Sequence, residues 1–287
     1  MYDSLNEICR RAEEKNMLFW EVIQEDDCEE RMIEKSLSFS QMKAMYTVMK
    51  EADAAYDPSL KSRSGLTGQD GGRMEAYVNG GDTICGDFLG RVMEKAIKMG
   101  ESNACMKRIV AAPTAGACGV VPAVLIAMQD KYGFDDEKMT EALYVAAGIG
   151  GVIASRAFIA GAQGGCQAEI GSASSMAAGA AVYLRGGDAK KIAHAAAMAM
   201  KNLLGLACDP VAGLVEVPCV KRNVSGAVVA LSAADMALAG VYSYIDPDEV
   251  IDAMREVGLS MPACVRETGE GGLAATPTGI AARERLH

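Results

Sequence analysis

Apolar residues recur at helical spacing along most of this 287-residue sequence, whereas the alternation typical of β-strands is scarce. In the segment 87–99, Phe88 and Val92 fall on one face of a helix, and Gly100 is placed to end it. The segment 29–54 carries apolar residues at the same spacing, which predicts one continuous helix. These patterns predict an all-α fold: a compact helical domain without a sheet.

Signals for helix ends recur further along the chain. Asp188 is placed to cap one helix. Asp246, followed by a proline and two acidic residues, is placed to start another helix, which Gly258 would close. The segment 223–244 is apolar on nearly all sides, so we expect it to form a central helix.

Charged residues are denser in the N-terminal third of the sequence than in the rest. We therefore expect a single all-helical domain over residues 1–287. Within it, amphipathic N-terminal helices would occupy residues 1–60, and a core with glycine-rich loops would occupy residues 61–279.

Composition excludes several classes of protein. The formal net charge is −10, which argues against nucleic acid as a partner because phosphate binding relies on clustered Lys and Arg. The N-terminus is charged and lacks the apolar core of a signal peptide. The stretch 109–129 has no charged residue, but two prolines interrupt it, so we expect buried helix rather than a membrane span. We therefore expect a cytoplasmic protein, in which the nine cysteines are thiols or metal ligands rather than disulfides.

The loops between the predicted helices are unusually rich in glycine. Glycine lets the backbone approach a ligand closely and leaves N–H groups free to donate, and Ser and Thr hydroxyls recur in the same loops. The alternative is that these loops simply join tightly packed helices. The five loops are 62–72, 112–119, 161–166, 208–213 and 266–272.

Three of the nine cysteines stand at loop positions. Cys166 follows two glycines, Cys208 precedes Asp-Pro, and Cys219 follows a proline. No CxxC pair occurs, which removes the main support for a zinc ribbon or a thioredoxin-like motif. Three thiolates can hold three irons of a [4Fe–4S] cluster and leave the fourth iron open. From the spacing of these cysteines alone, the alternative remains that they are ordinary buried thiols without a metal.

Five segments, in order between residues 61 and 279, resemble one known family. They read KSRSGLTGQDGGRM, IVAAPTAGACGVVPAVL, GAQGGCQAEIGSASSMAAGAA, CDPVAGLVEVPCVKRN and RETGEGGLAATPTG. The family is that of the iron–sulfur-dependent L-serine dehydratases, in the form of the alpha chain of the two-chain type. The resemblance implies a lyase that converts L-serine to pyruvate and ammonia in an all-helical catalytic core. It also implies a [4Fe–4S] cluster with one open iron on Cys166, Cys208 and Cys219, and no pyridoxal phosphate.

Substrate contacts are expected from hydroxyls and backbone N–H groups of two loops and from the start of the helix after the third ligand. The hydroxyls and N–H groups of the two loops would bind the carboxylate and the amine of the substrate. The alternative for Lys221 is that it and the arginine that follows it are solvent-exposed residues at the start of a helix. Glu169, near the first ligand, is expected to order the cluster loop as an acceptor. The candidate substrate-binding residues are Ser62, Ser64, Gly65, Thr67, Gly68, Asp70, Thr114, Gly116, Lys221 and Asn223.

The general base is not identified in the sequence. Of the two histidines, His194 lies in a predicted helix among alanines and has a structural interpretation, and His287 is the last residue. The resemblance implies a separate beta chain as partner, and we expect it to complete the site, with the base as its contribution. An oligomer is also expected. Alternatives are an L-cysteine desulfidase of the same superfamily and a cluster-based sensor without enzymatic activity.

Overall fold

The structure is a computed structural model that describes residues 2–286, and it confirms the all-α prediction. Within these residues the one β-type contact is an isolated parallel bridge between Cys208 and Arg266. A π-helical turn, Gln167–Gly171, leads directly into the ninth α-helix. The helices α1–α13 of the described chain span Leu5–Lys15, Phe19–Arg31, Lys35–Ala54, Asp70–Asn79, Gly86–Ala104, Val120–Tyr132, Asp136–Arg156, Gly161–Gly164, Ser172–Leu184, Ala189–Lys201, Cys219–Leu238, Pro247–Ser260 and Pro277–Leu286.

The core is built around α9, every residue of which is buried. This helix packs against α6, α7, α10 and α11. Its small side chains allow close approach: a Cβ added to Gly179 would lie 2.2 Å from Cδ1 of Ile149 on α7. The segment 223–244 lies mainly in α11, which packs on α9 and buries small residues such as Ala227 and Ala230, so the prediction of a helix there is confirmed. It is wrong about the end and the burial of this helix, because α11 ends at Leu238 and exposes residues such as Asp235 on one face. Alanine-rich helices look alike in sequence whether one or all of their faces are covered.

Helix caps agree with the sequence. The Asp188 carboxylate accepts a hydrogen bond from the Lys191 N–H at 2.8 Å and caps α10. In the same way Asp246 accepts from the Asp248 N–H at 2.9 Å, and α12 begins at the next residue, Pro247. Both signals are local, so the surrounding fold does not need to be known to interpret them.

Three helix boundaries differ from prediction. Gly100 lies inside α5, where an added Cβ would meet Cα of Val220 at 3.2 Å, so this glycine permits the close crossing of α5 and α11. Gly258 likewise lies inside α12, close to Gly164. The segment 29–54 is not one helix, because Met32 adopts a left-handed conformation with φ of 52° and separates α2 from α3.

The uncharged stretch 109–129 divides into a loop and the first part of α6. None of the helices in the described part of the chain is both long and apolar enough to cross a membrane.

Candidate functional site

Three cysteines from separate parts of the chain meet in one buried region. Cys166, Cys208 and Cys219 are 3%, 3% and 8% exposed. The first precedes the π-helical turn, the second lies in the loop after α10, and the third is the first residue of α11. Burial raises the pKa of Cys208, and the charges of Cys166, Glu169, Glu267 and Cys219 raise it further. The three sulfurs are therefore near enough to interact electrostatically.

A hydrogen-bonded pair of loops brings the first two cysteines together. Gly165 has a positive φ of 76°, which turns the chain into Cys166. The next residue, Gln167, donates its backbone N–H to the Leu206 carbonyl at 3.1 Å and accepts from the Gly205 N–H at 2.9 Å through its side chain. The loop before α9 is thereby fixed to the loop that carries Cys208.

Arg222 supplies a positive charge beside the thiols, a role that its position in a predicted solvated helix start did not indicate. Its guanidinium donates to the Ala207 carbonyl at 2.7 Å and pairs with Asp209 at 2.9 Å. Burial raises the pKa of Cys166 and of Cys219 to about 12, and Arg222 lowers both pKa values in part. An arginine placed in this way stabilises thiolates.

The C-terminal glycine-rich loop covers Cys208. The Cys208 N–H donates to the Val265 carbonyl at 2.8 Å, and its carbonyl accepts from the Glu267 N–H at 2.7 Å. Next to it, the Asp209 carboxylate accepts from the Leu273 N–H at 2.8 Å. The loop 266–272 is therefore part of the wall of this region.

Glu169 lies between the loop 112–119 and Cys208. Its Oε1 accepts from the Thr114 hydroxyl at 2.7 Å, and the Cys208 thiol lies 3.9 Å from Oε2. A Cβ on Gly116 would lie 2.9 Å from Oε1, so glycine allows this approach. Burial is the main cause that raises the pKa of Glu169, with a further contribution from Glu267. Thr114 and Gly116 thus face the carboxylate that neighbours the thiols.

Asn223 joins the same loop to the start of α11. Its Oδ1 accepts from the Gly119 N–H at 2.8 Å. Its Nδ2 donates to the carbonyls of Gly116 and Cys219, both at 2.9 Å. Both polar atoms of the side chain are engaged within the protein, so the geometry favours a positioning role over direct contact with a substrate.

The loop 62–70 docks on the segment between Cys208 and Cys219. The hydroxyls of Ser62 and Ser64 donate to Oε2 of Glu216 at 2.7 and 2.6 Å. Glu216 could not be identified from the sequence, because an isolated acid between valines carries no signal of its tertiary partners.

The end of this loop is held by two further carboxylates. Asp70 pairs with the exposed Lys221 at 2.9 Å, and the backbone N–H groups of Asp70 and Gly71 donate to Glu101. Gly65 and Gly68 have φ values of 72° and 129°, a region that favours glycine. The Thr67 hydroxyl is buried and, within residues 2–286, has no hydrogen-bond partner.

His194 and a groove beside α3 are separate from the contacts around the three cysteines. The ring of His194 on α10 packs against the ring of Tyr242 at an interplanar angle of 44°, with 4.9 Å between centroids, which agrees with its structural interpretation. His287 lies outside the described residues. A groove of about 530 Å³ runs between α3, α7 and the loop before Pro113, but none of the three cysteines lines it.

The fold and these contacts define an all-α protein whose glycine-rich loops converge on three buried, interacting thiols. The chain belongs to the serine dehydratase alpha chain family, whose model matches residues 14–274.

Curated relatives match over most of the chain. A protein of Bacillus subtilis named probable L-serine dehydratase, alpha chain, is 47% identical over 279 residues, which cover 97% of this chain and 93% of the relative. The L-serine dehydratase alpha chain of Peptoniphilus asaccharolyticus is 52% identical, with 72% of this chain and 71% of the relative covered. A probable alpha chain from Latilactobacillus sakei is 54% identical over 70% of this chain and 96% of its own length.

Proposed function

We propose that this chain is the catalytic alpha chain of an L-serine ammonia-lyase, which dehydrates L-serine to pyruvate and ammonia. Its cofactor would be a [4Fe–4S] cluster held by Cys166, Cys208 and Cys219. The observation that carries the proposal is the meeting of these three thiols in one buried region of a serine dehydratase alpha chain.

The chemistry of the donors present fits an iron–sulfur cluster. Within residues 2–286, no group of three or more His, Cys, Asp or Glu side chains could hold one metal ion. In a [4Fe–4S] cluster each cysteine binds a different iron, so the three thiols need not converge on one ion. The donors are soft thiols, and Arg222 lies beside two of them to balance negative charge.

The bound cluster would supply an open iron, a Lewis acid suited to the hydroxyl of serine as leaving group. The chain's own residues position the surroundings. Thr114 holds Glu169 against Cys208, and Asn223 holds the loop of Gly116 against the start of α11. Burial of these groups excludes water, which strengthens their electrostatic interactions with a substrate.

The Cα proton of serine needs a base, and we propose that a separate beta chain supplies it. His194 is engaged with Tyr242 on α10, away from the contacts that frame the thiols. Glu169, the buried carboxylate next to Cys208, is already hydrogen-bonded by Thr114. The association would take place in the cytoplasm, where a reducing environment preserves thiols and the cluster.

The test is pyruvate formation from L-serine after anaerobic purification, with and without the beta chain, and with L-cysteine as a competing substrate. We expect the pair to form pyruvate from serine in preference to cysteine, and the alpha chain alone to be much slower despite an intact cluster. A lone alpha chain that matches the pair would contradict the role of the partner. Iron and sulfide without pyruvate from either amino acid would contradict the proposed activity.

A further inference from the structure

Glu216 is a buried carboxylate without a cationic partner. The residue is 8% exposed. Within residues 2–286 no Lys or Arg nitrogen lies within ion-pair distance of its carboxylate, whose hydrogen-bond partners there are two serine hydroxyls. Among the other buried carboxylates, Glu94 pairs with Lys98 at 2.6 Å and Asp209 with an arginine at 2.9 Å. Within the described residues Glu101, Asp248 and Glu169 also lack an ion pair, but Glu101 and Asp248 accept backbone N–H groups, whereas the hydrogen bonds to Glu216 come from hydroxyls. A buried charge that lacks a partner is costly, so this site favours a cation.

The two serines next to Glu216 are oriented as acceptors. Each hydroxyl has one proton, and both protons are donated to the carboxylate, at 2.7 Å from Ser62 and 2.6 Å from Ser64. The Ser64 oxygen already accepts from the Leu66 N–H at 3.0 Å and the Ser62 oxygen from the Thr67 N–H at 3.5 Å, so each oxygen keeps one lone pair for a further donor, next to a negative charge. A substrate carboxylate would be repelled here, whereas an ammonium group offers three N–H donors and the missing positive charge.

The backbone of Glu216 is linked to the start of α11. The residue lies in the loop between Cys208 and Cys219, and its carbonyl accepts from the Val220 N–H at 3.0 Å. The backbone of Glu216 therefore forms the turn that leads into Cys219 and α11. A second contact, the ion pair of Lys221 with Asp70, holds the loop 62–70 against the same helix start.

The geometry points to Glu216, Ser62 and Ser64 as the subsite that binds the α-ammonium group of the substrate amino acid. This inference rests on the proposed serine dehydratase activity and deepens it. It assigns the loop 62–70 to the amine rather than to the carboxylate.

The test compares serine with 3-hydroxypropanoate, which is serine without its amino group, in the anaerobically reconstituted complex of alpha and beta chains. Glu216→Gln preserves size and an acceptor for the serine hydroxyls but removes the charge. We expect kcat/KM for L-serine to fall about 10- to 100-fold, the range of one hydrogen bond to a charged group. The inhibition constant of 3-hydroxypropanoate should stay unchanged, as should both constants in the control Glu256→Gln, an exposed site on α12.

Two results would overturn the inference. If Glu216→Gln lowered kcat/KM for serine and weakened the binding of 3-hydroxypropanoate by the same factor, Glu216 would have a structural role. If kcat/KM for serine were unchanged, Glu216 would have no role in binding the substrate. A potassium ion could satisfy the same chemistry: a serine KM that depends on potassium in the parent complex, and loses this dependence in Glu216→Gln, would also overturn the inference.

A second variant keeps the test decisive if Glu216→Gln loses iron or fails to fold. Ser64→Ala removes one acceptor at a half-buried position, and we expect kcat/KM for serine to fall about 5-fold, near one neutral hydrogen bond, without a change for 3-hydroxypropanoate. An unchanged kcat/KM would overturn the inference. A parent complex that forms no pyruvate from serine would instead contradict the proposed function.

Discussion

Asn223→Ala tests whether this side chain joins two parts of the site or binds substrate. Asn223 is 1% exposed and hydrogen-bonds Gly119, Gly116 and Cys219. Alanine removes all three contacts. The Cys219 carbonyl has its helical partner in α11, but the Gly119 N–H and the Gly116 carbonyl lose the side-chain partner described here.

The expected magnitude follows from these two buried groups. Each unsatisfied buried donor or acceptor costs about 1–3 kcal/mol, so the free energy of unfolding should fall by about 2–6 kcal/mol. For a chain of this size, each kcal/mol shifts Tm by about 2 °C, so Tm should fall by about 4–12 °C.

The assay is thermal unfolding of the cluster-free chain, followed by circular dichroism. The matched control is Asn202→Ala, an exposed asparagine at the end of α10, for which we expect a change within about 0.5 kcal/mol. If Asn223→Ala unfolded at the same temperature as the control but lost serine turnover, Asn223 would be a substrate ligand and the positioning role would be refuted.

Three further predictions concern the same region and its neighbours. Gly116→Ala should destabilise the fold by about 1–3 kcal/mol, because the new Cβ would press on Glu169; an unchanged melting temperature would refute the close contact. Burial raises the pKa of Cys118 from 9.0 to about 12, so the cluster-free chain should be fully stable below pH 9.0 and lose stability as the pH rises towards 12. Denaturant midpoints at stepped pH measure this loss, and Cys118→Ala should reduce it. Exposed Cys85 should be alkylated by iodoacetamide well before buried Cys118, as peptide mass spectrometry would record; the reverse order would contradict their placement.

Local signals in the sequence predicted the fold well, and signals that depend on a partner did not. The caps at Asp188 and Asp246 are confirmed because the carboxylate and the N–H it binds are only a few residues apart. Gly100 and Gly258 resemble helix ends, but each marks a close approach to a distant segment. The partner that requires such a glycine is not encoded near it in the sequence.

In the candidate site, too, features with a local sequence signal could be predicted, and features that depend on distant partners could not. The motifs singled out five glycine-rich loops, and the structure brings the loops of Thr114, Cys166 and Cys208 together. The tertiary contacts of Glu216 and Arg222 could not be predicted, because an acid between valines and an arginine at a helix start both resemble solvated residues. Their importance depends on contacts with segments far away in sequence.

The most direct test of the account is the iron and acid-labile sulfide content of single cysteine variants after anaerobic reconstitution. The parent chain and the controls Cys9→Ala and Cys28→Ala should each retain about four irons and four sulfides per chain, as a [4Fe–4S] cluster requires. Alanine at Cys166, Cys208 or Cys219 should abolish retention. Full iron and sulfide in any of these three variants, or an equal loss in the two controls, would contradict the assignment of the cluster ligands.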